Sequence, residues 1–463
     1  MAPTVVSAPG KVLAAGGYLV LEPQHVGVVI STNARFYTVI QPSETSEGIV
    51  VRAPQFDNAI WKYGVESSSG RLQQREGSAN KFVQSALETA LRVVFESKGP
   101  DAVPTNLNIT IVGDNDFYSQ RAQLETRGWP RTRESLAKLP PFNPPGGTLK
   151  DVHKTGLGSS AALTTSLVLA IFAHTGVAQP RDALAHRAAQ RAHCVAQGKL
   201  GSGFDVAAAA FGSMLYNRFD PAAVPMDDDA PLVPRLRDGA LKWDERIAPF
   251  ALPPGLRVML ADVDAGSDTP SMVGKVLKWK AAQPESSAEL WAKLSRANSS
   301  FADELMSMGE LARKDNAAYL AALNYAASVR HGEWVLHSQP ATQAPVLTHL
   351  CRVRELINDI RGMMRDMSTG ADVPIEPPEQ TQLLDACAAL QGVVGGGVPG
   401  AGGYDAIWVM VVDGGDAAQS VEKLWLGWTE VDVSPLLTDA GAGDDQGARI
   451  ESLDAVPGLS AVL

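Results

Sequence analysis

The stretch "GLGSSAALTTSLVLAIF", from Gly156 to Phe172, decides how the rest of the chain is interpreted. Two glycines and two serines lead directly into an apolar segment long enough for about four helical turns. Small residues permit close backbone approach, and the first turn of a helix has unpaired N–H groups that attract an anion. A capped core helix with a flexible entry explains the same residues equally well. Because the Walker ending Gly-Lys-Ser/Thr and the spacing G-x-G-x-x-G are both missing, the stretch alone leaves the two interpretations level.

Three other stretches are rich in small residues, and two of them place a charged residue at a turn. "SAPGKVLAAGGYLVLEP" (7–23) puts Lys11 in a Pro-Gly turn, and "GKLGSGFDVAAAAF" (198–211) puts Asp205 at the start of an alanine-rich helix. A solvated lysine and a helix-capping aspartate are the ordinary explanations of these two residues taken singly. "GGGVPGAGGYDAIWVMV" (395–411) is a glycine-rich loop before a strand. Ordering such a loop costs much backbone entropy, so we expect it to approach a ligand.

Composition and charge restrict the class of protein. The 463 residues are 45% hydrophobic and 20% charged, as is typical of a globular enzyme with two or three domains. A net charge of −11 argues against nucleic acid as the main partner, and no apolar run reaches the length of a membrane span. Three cysteines and eight histidines are scattered, which argues against a structural metal. Because the termini resemble neither a secretory signal nor a peroxisomal tail, we expect a cytoplasmic protein.

Hydrophobic periodicity predicts the order of the elements. The expected elements are strands in the first 40 residues (notably 27–40), a helix over 80–99, a helical block from Ser159 to about Phe211, a strand at 256–266, and helices from about Thr269 to Gln391. Residues 114–155 are expected to form a long loop that is functional or mobile. Residues 220–254 are the best candidate for a linker or insertion, and residues 438–451 are expected to form a flexible loop. This order predicts an α+β protein of two domains with a cleft between them.

Taken together, the stretches resemble the motif pattern of the GHMP kinases and, within that family, the fungal-like phosphomevalonate kinases. P-G-K, G-L-G-S-S-A, S-G-x-D and "VPGAGGYDAIW" occur in the family's order, and "GDNDFYSQ" (113–120) and "AGSDTPSMVGKVLKW" (265–279) extend the match over some 400 residues. The chain has Ala15-Gly16-Gly17-Tyr18 where mevalonate kinase-like members carry Gly-Glu-His. This departure favours the phosphomevalonate kinases.

The resemblance implies a fold and a reaction. The implied GHMP kinase fold is α+β, with an N-terminal domain containing a left-handed βαβ unit, a ferredoxin-like C-terminal domain, and the active site in the cleft between them. We place the domains at residues 1–220 and 221–463. The implied reaction transfers the γ-phosphate of ATP to 5-phosphomevalonate. A kinase for mevalonate or homoserine is the alternative, whereas a catalytically silent member is disfavoured because Lys11, Asp205 and the serine pair are all present.

The same resemblance implies roles for individual residues. Lys11 and Asp205 would be the catalytic pair, and Ser160, or its neighbour Ser159, would help to hold Mg²⁺. The residues around the ATP phosphates would be Lys154, Gly156, Leu157, Gly158, Ser159, Ser160 and Ala161. The residues around the acceptor would be Lys11, Ser202, Ser267, Thr269, Gly400, Ala401 and Gly402.

Several residues keep two interpretations at this point. Ser267 and Thr269 lie where a strand leads into a helix, which suits an anion and equally suits an ordinary helix cap. Lys81 and Lys154 are weaker candidates for the acceptor's phosphate. Trp61 and Tyr118 could line an adenine pocket or pack in the core, and we expect Trp61 in the core. The expected partners are ATP and 5-phosphomevalonate, and the expected assembly is a monomer or a weak homodimer.

Overall fold

The computed structural model describes residues 2–42, 48–237, 243–263, 269–335, 340–440 and 447–463. Strands and helices in these ranges alternate in the manner of an α+β protein. The strands are β1 (Thr4–Ala15), β2 (Gly27–Pro42), β3 (Ile49–Arg52), β4 (Ile60–Glu66), β5 (Arg71–Glu76), β6 (Leu107–Gly113), β7 (Met214–Asn217), β8 (Arg246–Pro249), β9 (Leu256–Val263), β10 (Val393–Gly397), β11 (Ala406–Val412), β12 (Val433–Ala440) and β13 (Arg449–Glu451). The helices are α1 (Lys81–Lys98), α2 (Arg121–Thr126), α3 (Arg133–Ala137), α4 (Ser159–Thr175), α5 (Ala183–Gln197), α6 (Phe204–Phe211), α7 (Leu232–Leu236), α8 (Thr269–Ala282), α9 (Pro284–Lys314), α10 (Asn316–Ser328), α11 (Ala344–Ala371), α12 (Pro378–Ala388) and α13 (Ala417–Leu426).

These strands join into one sheet whose main path runs β10-β11-β9-β12-β2-β6-β3-β4-β5. β1 pairs antiparallel with β2 along most of its length, from Thr4 opposite Ile40 to Ala15 opposite Val28. The C-terminal strands β9 to β12 continue this sheet where Ala440 of β12 pairs with Thr32 of β2. The N-terminal and C-terminal parts of the chain are therefore hydrogen-bonded through the middle of the sheet.

The apolar stretch that follows the glycines forms the central helix of the N-terminal half. α4 packs on β1 and β2 and between α1, α5 and α6. Residues 167–172 of this helix are all 1% exposed or less. A helix that is apolar on every side is stable only when it is covered on every side, and this is the position that α4 occupies.

The predicted α+β class is confirmed, together with the helix over 80–99 and the strand over 27–40. The prediction of a flexible loop over 438–451 was wrong at both ends. Thr438 to Ala440 belong to β12, and β13 pairs antiparallel with β1. Strand pairing could not be anticipated there because the partner strand lies more than 400 residues away in the sequence.

Two other segments pack more closely than the sequence indicated. Residues 114–155 contain α2 and α3, and the buried carboxylate of Asp116 accepts hydrogen bonds from the backbone N–H groups of Leu437 and Thr438. In the segment 220–254, β8 pairs with β7, and Leu232 and Leu236 of α7 are fully buried. The described parts of both segments are thus anchored on the body of the protein. The domain boundary at residue 220 stays a prediction. None of the helices in the described ranges is long and apolar enough to cross a membrane.

Candidate active site

The first glycine loop, residues 154–161, turns directly into α4. Gly156 and Gly158 adopt positive φ angles of 79° and 80°, a region that residues with a side chain rarely enter. Gly158 is the N-cap residue, and no side chain among the described residues caps the helix there. The first turn of α4 therefore offers backbone N–H groups and the positive end of the helix dipole to an anion.

Lys11 reaches this loop from β1, a strand more than 140 residues away in sequence. Its backbone N–H donates to the carbonyl of Leu157 at 3.0 Å, and its Nζ donates to the carbonyl of Gly156 at 2.8 Å. Burial lowers the pKa of Lys11, and the nearby charge of Asp205 partly offsets that effect. The structure thus brings together the predicted catalytic lysine, the predicted catalytic aspartate and the glycine loop.

Asp205 lies in the first turn of α6, after Gly203, whose φ is 85°. Its Oδ1 accepts a hydrogen bond from the N–H of Val206, and its Oδ2 lies 4.0 Å from the Nε2 of His193. The preceding turn is held by Arg218, which donates to the carbonyls of Leu200 and Gly201. Ser202 belongs to this turn, and its carbonyl accepts from the hydroxyl of Tyr216. The predicted S-G-x-D start is therefore fixed by side chains that the motif does not contain.

His193 is a site residue that the sequence interpretation missed. Its Nε2 lies 3.2 Å from the Oγ of Ser160, so one imidazole nitrogen lies beside both Ser160 and Asp205. His193 is 3% exposed, and burial lowers the pKa of its imidazole. The ring is therefore neutral near pH 7 and can orient the hydroxyl of Ser160. A single histidine in an amphipathic helix carries no local signal for this role.

A cavity of about 510 Å³ opens beside the first glycine loop. Its lining includes Trp61, Asn80, Lys81, Tyr118, Lys154 and Ser160. Trp61 is 2% exposed, as expected for a core residue, and it also contributes to the lining of the cavity. Lys81 and Lys154 line this cavity together with Ser159 and Ser160, and their roles stay predictions. Burial lowers the pKa of Lys154.

The second glycine loop, residues 399–403, lies against the end of β1. The N–H of Gly400 donates to the carbonyl of Leu13 at 3.4 Å, two residues beyond Lys11. The hydroxyl of Tyr18 donates to the carbonyl of Ala401 at 2.7 Å. Gly402 has a φ of 76°, and a Cβ there would lie 2.1 Å from the carbonyl oxygen of Ile375. Gly400, Ala401 and Gly402 are thus close to the strand that carries Lys11. Ser267 and the side chain of Thr269 lie outside the described part of the chain.

A divalent ion at this site would depend on few protein ligands. Among the described residues, no group of three or more His, Cys, Asp or Glu could hold a metal ion. Magnesium that binds with a nucleotide takes most of its ligands from phosphate oxygens and water. One serine hydroxyl at the start of α4, oriented by a neutral histidine, fits such a donor set. Ser160 is therefore compatible with the predicted role.

Comparison with known proteins gives matches along nearly the whole chain. Residues 146–213 match the family model for the GHMP kinases N terminal domain. The chain is 37% identical to the peroxisomal phosphomevalonate kinase of Arabidopsis thaliana, over 97% of this chain and 96% of that protein. It is 36% identical to a phosphomevalonate kinase of Gibberella zeae, over 98% of both chains.

Solved structures show the same architecture at low sequence identity. A Streptococcus pneumoniae phosphomevalonate kinase in complex with phosphomevalonate and AMPPNP matches with a TM-score of 0.62 at 15% identity, over 94% of this chain and 98% of that chain. A mevalonate kinase of L. major in complex with R-mevalonate matches with a TM-score of 0.53 at 13% identity, over 94% and 95%. Together with the match to the family model, these likenesses confirm the predicted GHMP kinase fold.

Proposed function

The chain belongs to the phosphomevalonate kinases of the GHMP family, and from that premise we propose that it transfers the γ-phosphate of ATP to (R)-5-phosphomevalonate, giving 5-diphosphomevalonate and ADP in the mevalonate pathway of isoprenoid biosynthesis. The observation that carries the proposal is the meeting of Lys11, Asp205 and the first glycine loop at one point beside a cavity. Phosphoryl transfer depends mainly on positioning and on neutralising charge, and these residues supply both.

The first glycine loop holds the triphosphate. N–H groups at the start of α4 and the helix dipole face the anion, and Lys154 adds a positive charge from the cavity wall. The nucleoside extends into the cavity past Trp61 and Tyr118. Lys11 lies at the other side of the loop, where its ammonium stabilises charge on the transferring phosphoryl group.

Ser160 would help to hold a magnesium ion that binds with the nucleotide, and His193 would orient the serine oxygen by accepting its hydroxyl hydrogen. The ion supplies neutralisation of the β- and γ-phosphate charge. A competition between Mg²⁺ and Mn²⁺, read by the electron paramagnetic resonance of bound Mn²⁺ in the presence of a non-hydrolysable ATP analogue, tests this assignment. Ser160→Ala is expected to weaken Mn²⁺ binding about tenfold.

Asp205 positions Lys11 and the acceptor and abstracts little or no proton. The acceptor is a phosphate monoester with a second pKa of about 6, so it is already mostly a dianion near neutral pH. An alcohol acceptor would instead need a general base. Asp205 lies close enough to Lys11 to raise its pKa against the effect of burial, which is what an orienting carboxylate does.

A coupled ADP-release assay with 5-phosphomevalonate, mevalonate and homoserine in parallel tests the activity. Turnover of 5-phosphomevalonate alone is the expected result. Turnover of mevalonate or homoserine without 5-phosphomevalonate would contradict the proposal and support another acceptor within the same fold. We further propose a cytoplasmic location and a monomer or weak homodimer, which imaging of a fluorescent fusion and light scattering would check.

A further inference from the structure

Tyr18 is held in a backbone conformation that aromatic residues rarely adopt. Its φ is 61° and its ψ is −43°, although its side chain is large. A conformation of this kind is unfavourable for a residue with a side chain and persists only where the surroundings enforce it. Tyr18 is 4% exposed, so its surroundings are packed protein. Strained residues of this kind concentrate at functional sites.

The surroundings of Tyr18 are the elements predicted to hold the acceptor. Its phenol donates to the carbonyl of Ala401 in the second glycine loop. Its ring belongs to a buried cluster with Met272 and Val276 of α8, the helix that follows the predicted Ser267–Thr269 segment. It follows the end of β1 and lies seven residues after Lys11 in the sequence. Tyr18 therefore joins three parts of the site that are distant in sequence.

Gly17 lies where the second glycine loop meets the end of β1, and it fits there because it has no side chain. A Cβ at Gly17 would lie 2.4 Å from the carbonyl oxygen of Gly400 and 3.0 Å from the Cε of Met364. Any larger residue at this position would push the second glycine loop away from β1. The departure from Gly-Glu-His in the sequence thus has a physical consequence. Gly17 lets the second glycine loop approach β1, and Tyr18 then fixes that loop.

We propose that Tyr18 is a positioning residue for the acceptor, which fixes the second glycine loop through the Ala401 carbonyl, and that Gly17 provides the space this arrangement needs. The loop is also held at Gly400, whose N–H donates to the carbonyl of Leu13, and at Gly403, whose N–H donates to the carbonyl of Ile375 and whose carbonyl accepts from the side chain of Gln380. The inference rests on the proposed function, since it assigns the loop to 5-phosphomevalonate.

Tyr18→Phe tests the role because it removes the hydroxyl and keeps the ring. Loss of one hydrogen bond predicts a rise of about tenfold in the KM for 5-phosphomevalonate, with the KM for ATP within about twofold. Tyr325→Phe is the matched control, because Tyr325 also donates to a backbone carbonyl, that of Glu333, but lies away from the site. The control is expected to leave both KM values unchanged while changing thermal stability by a similar amount.

Gly17→Ala is the second variant and keeps the test decisive if Tyr18→Phe folds poorly. It is expected to raise the acceptor KM more than tenfold, again without a matching change for ATP. Equal KM values in wild type and Tyr18→Phe, or equal rises for ATP and acceptor, would overturn the proposal. Calorimetric measurement of 5-phosphomevalonate binding distinguishes failure of this proposal from failure of the proposed function. If the wild-type protein neither binds nor turns over the compound, the proposed function is refuted. If wild type and Tyr18→Phe bind it equally well, only the role of Tyr18 is refuted.

Discussion

The two glycine loops of the site are held in different ways. The first loop, around Gly156 and Gly158, ends in α4, and the helix that follows fixes its geometry. The second loop, around Gly400 and Gly402, has no helix behind it and depends on contacts from Leu13, Tyr18 and Ile375. Both loops use glycine for positive φ and close approach. Distant residues contact both loops, since Lys11 donates to the carbonyls of Gly156 and Leu157, but only the first loop is continued by a helix that also fixes its conformation.

Because the two loops are held differently, we expect substitutions in each loop to affect the binding of a different substrate. In the proposed function the triphosphate contacts the backbone of the first loop directly, so changes there should alter how the nucleotide binds. Changes at the second loop should act on the proposed acceptor and should be reproduced by changes at its distant anchors. Lys11 contacts the first loop and Leu13, also in β1, contacts the second, so substitutions at Lys11 and the nearby Asp205 should affect the transfer step more than the binding of either substrate.

Replacement of Asp205 should produce the largest effect. Asp205→Asn keeps the size of the side chain and removes the charge that faces Lys11, so we expect kcat to fall by about 10³-fold while both KM values change by a few-fold. Because Asp205 abstracts little or no proton from an acceptor that is mostly a dianion near neutral pH, activity should not be regained as the pH rises from 6 to 9 in a pH–rate profile. Steady-state kinetics at each pH give the measurement.

The control for this variant is Asp220→Asn. Asp220 also accepts a backbone N–H near the start of a helical turn, that of Ala222, and it lies outside the site. It should keep wild-type kinetics. Recovery of full activity by Asp205→Asn at high pH would show instead that Asp205 acts as a base.

A pair of glycine variants tests the comparison itself. Gly158→Ala places a Cβ 3.1 Å from the Cε of Lys11, and Gly402→Ala places one 2.1 Å from the carbonyl oxygen of Ile375. Each also forces alanine into a positive φ, at a cost of about 1–2 kcal/mol. We expect Gly158→Ala to lower kcat/KM for ATP by about 30- to 100-fold, and Gly402→Ala to raise the KM for 5-phosphomevalonate by about 10- to 30-fold.

Gly128→Ala separates the backbone cost from the contact. Gly128 has a φ of 65°, and its Cβ would meet nothing within 4 Å. This variant should lose stability without any selective kinetic change. If Gly158→Ala and Gly402→Ala instead weakened both substrates equally, the division of the site into two independently held loops would be wrong.

The same contrast explains what the sequence could predict. The first loop, α4, Lys11 and Asp205 are coded by short local motifs, so their roles could be proposed from the residues and the family resemblance. His193 and Tyr18 act through contacts with residues 33 and 383 positions away in the chain, and nothing in their own segments indicates those partners. The pairing of β13 with β1 escaped prediction for the same reason. Local chemistry was predictable, and long-range contacts were not.

The smallest effect is expected where Asp116 ties the segment 114–155 to β12. Burial raises the pKa of Asp116 to about 6, against hydrogen bonds from Leu437 and Thr438 that favour the charged form. The unfolded chain has a carboxyl pKa of about 3.9, so the folded protein binds this proton more tightly. The contribution of Asp116 to stability is therefore complete below about pH 4 and is lost as the pH rises through about 6.

Asp116→Asn lacks this titration and loses one of two acceptor oxygens, which costs about 1 kcal/mol at every pH. Urea unfolding at pH 4, 5, 6 and 7 should show the variant less stable than wild type at pH 4. Between pH 4 and pH 7 the difference in unfolding free energy should shift in favour of the variant by about 2–3 kcal/mol. A stability difference that stayed constant across this pH range would show that Asp116 titrates normally and that the contact between the segment 114–155 and β12 is open to water. The kinetic constants of the folded variant at pH 7 should match those of wild type, because Asp116 lies in neither loop.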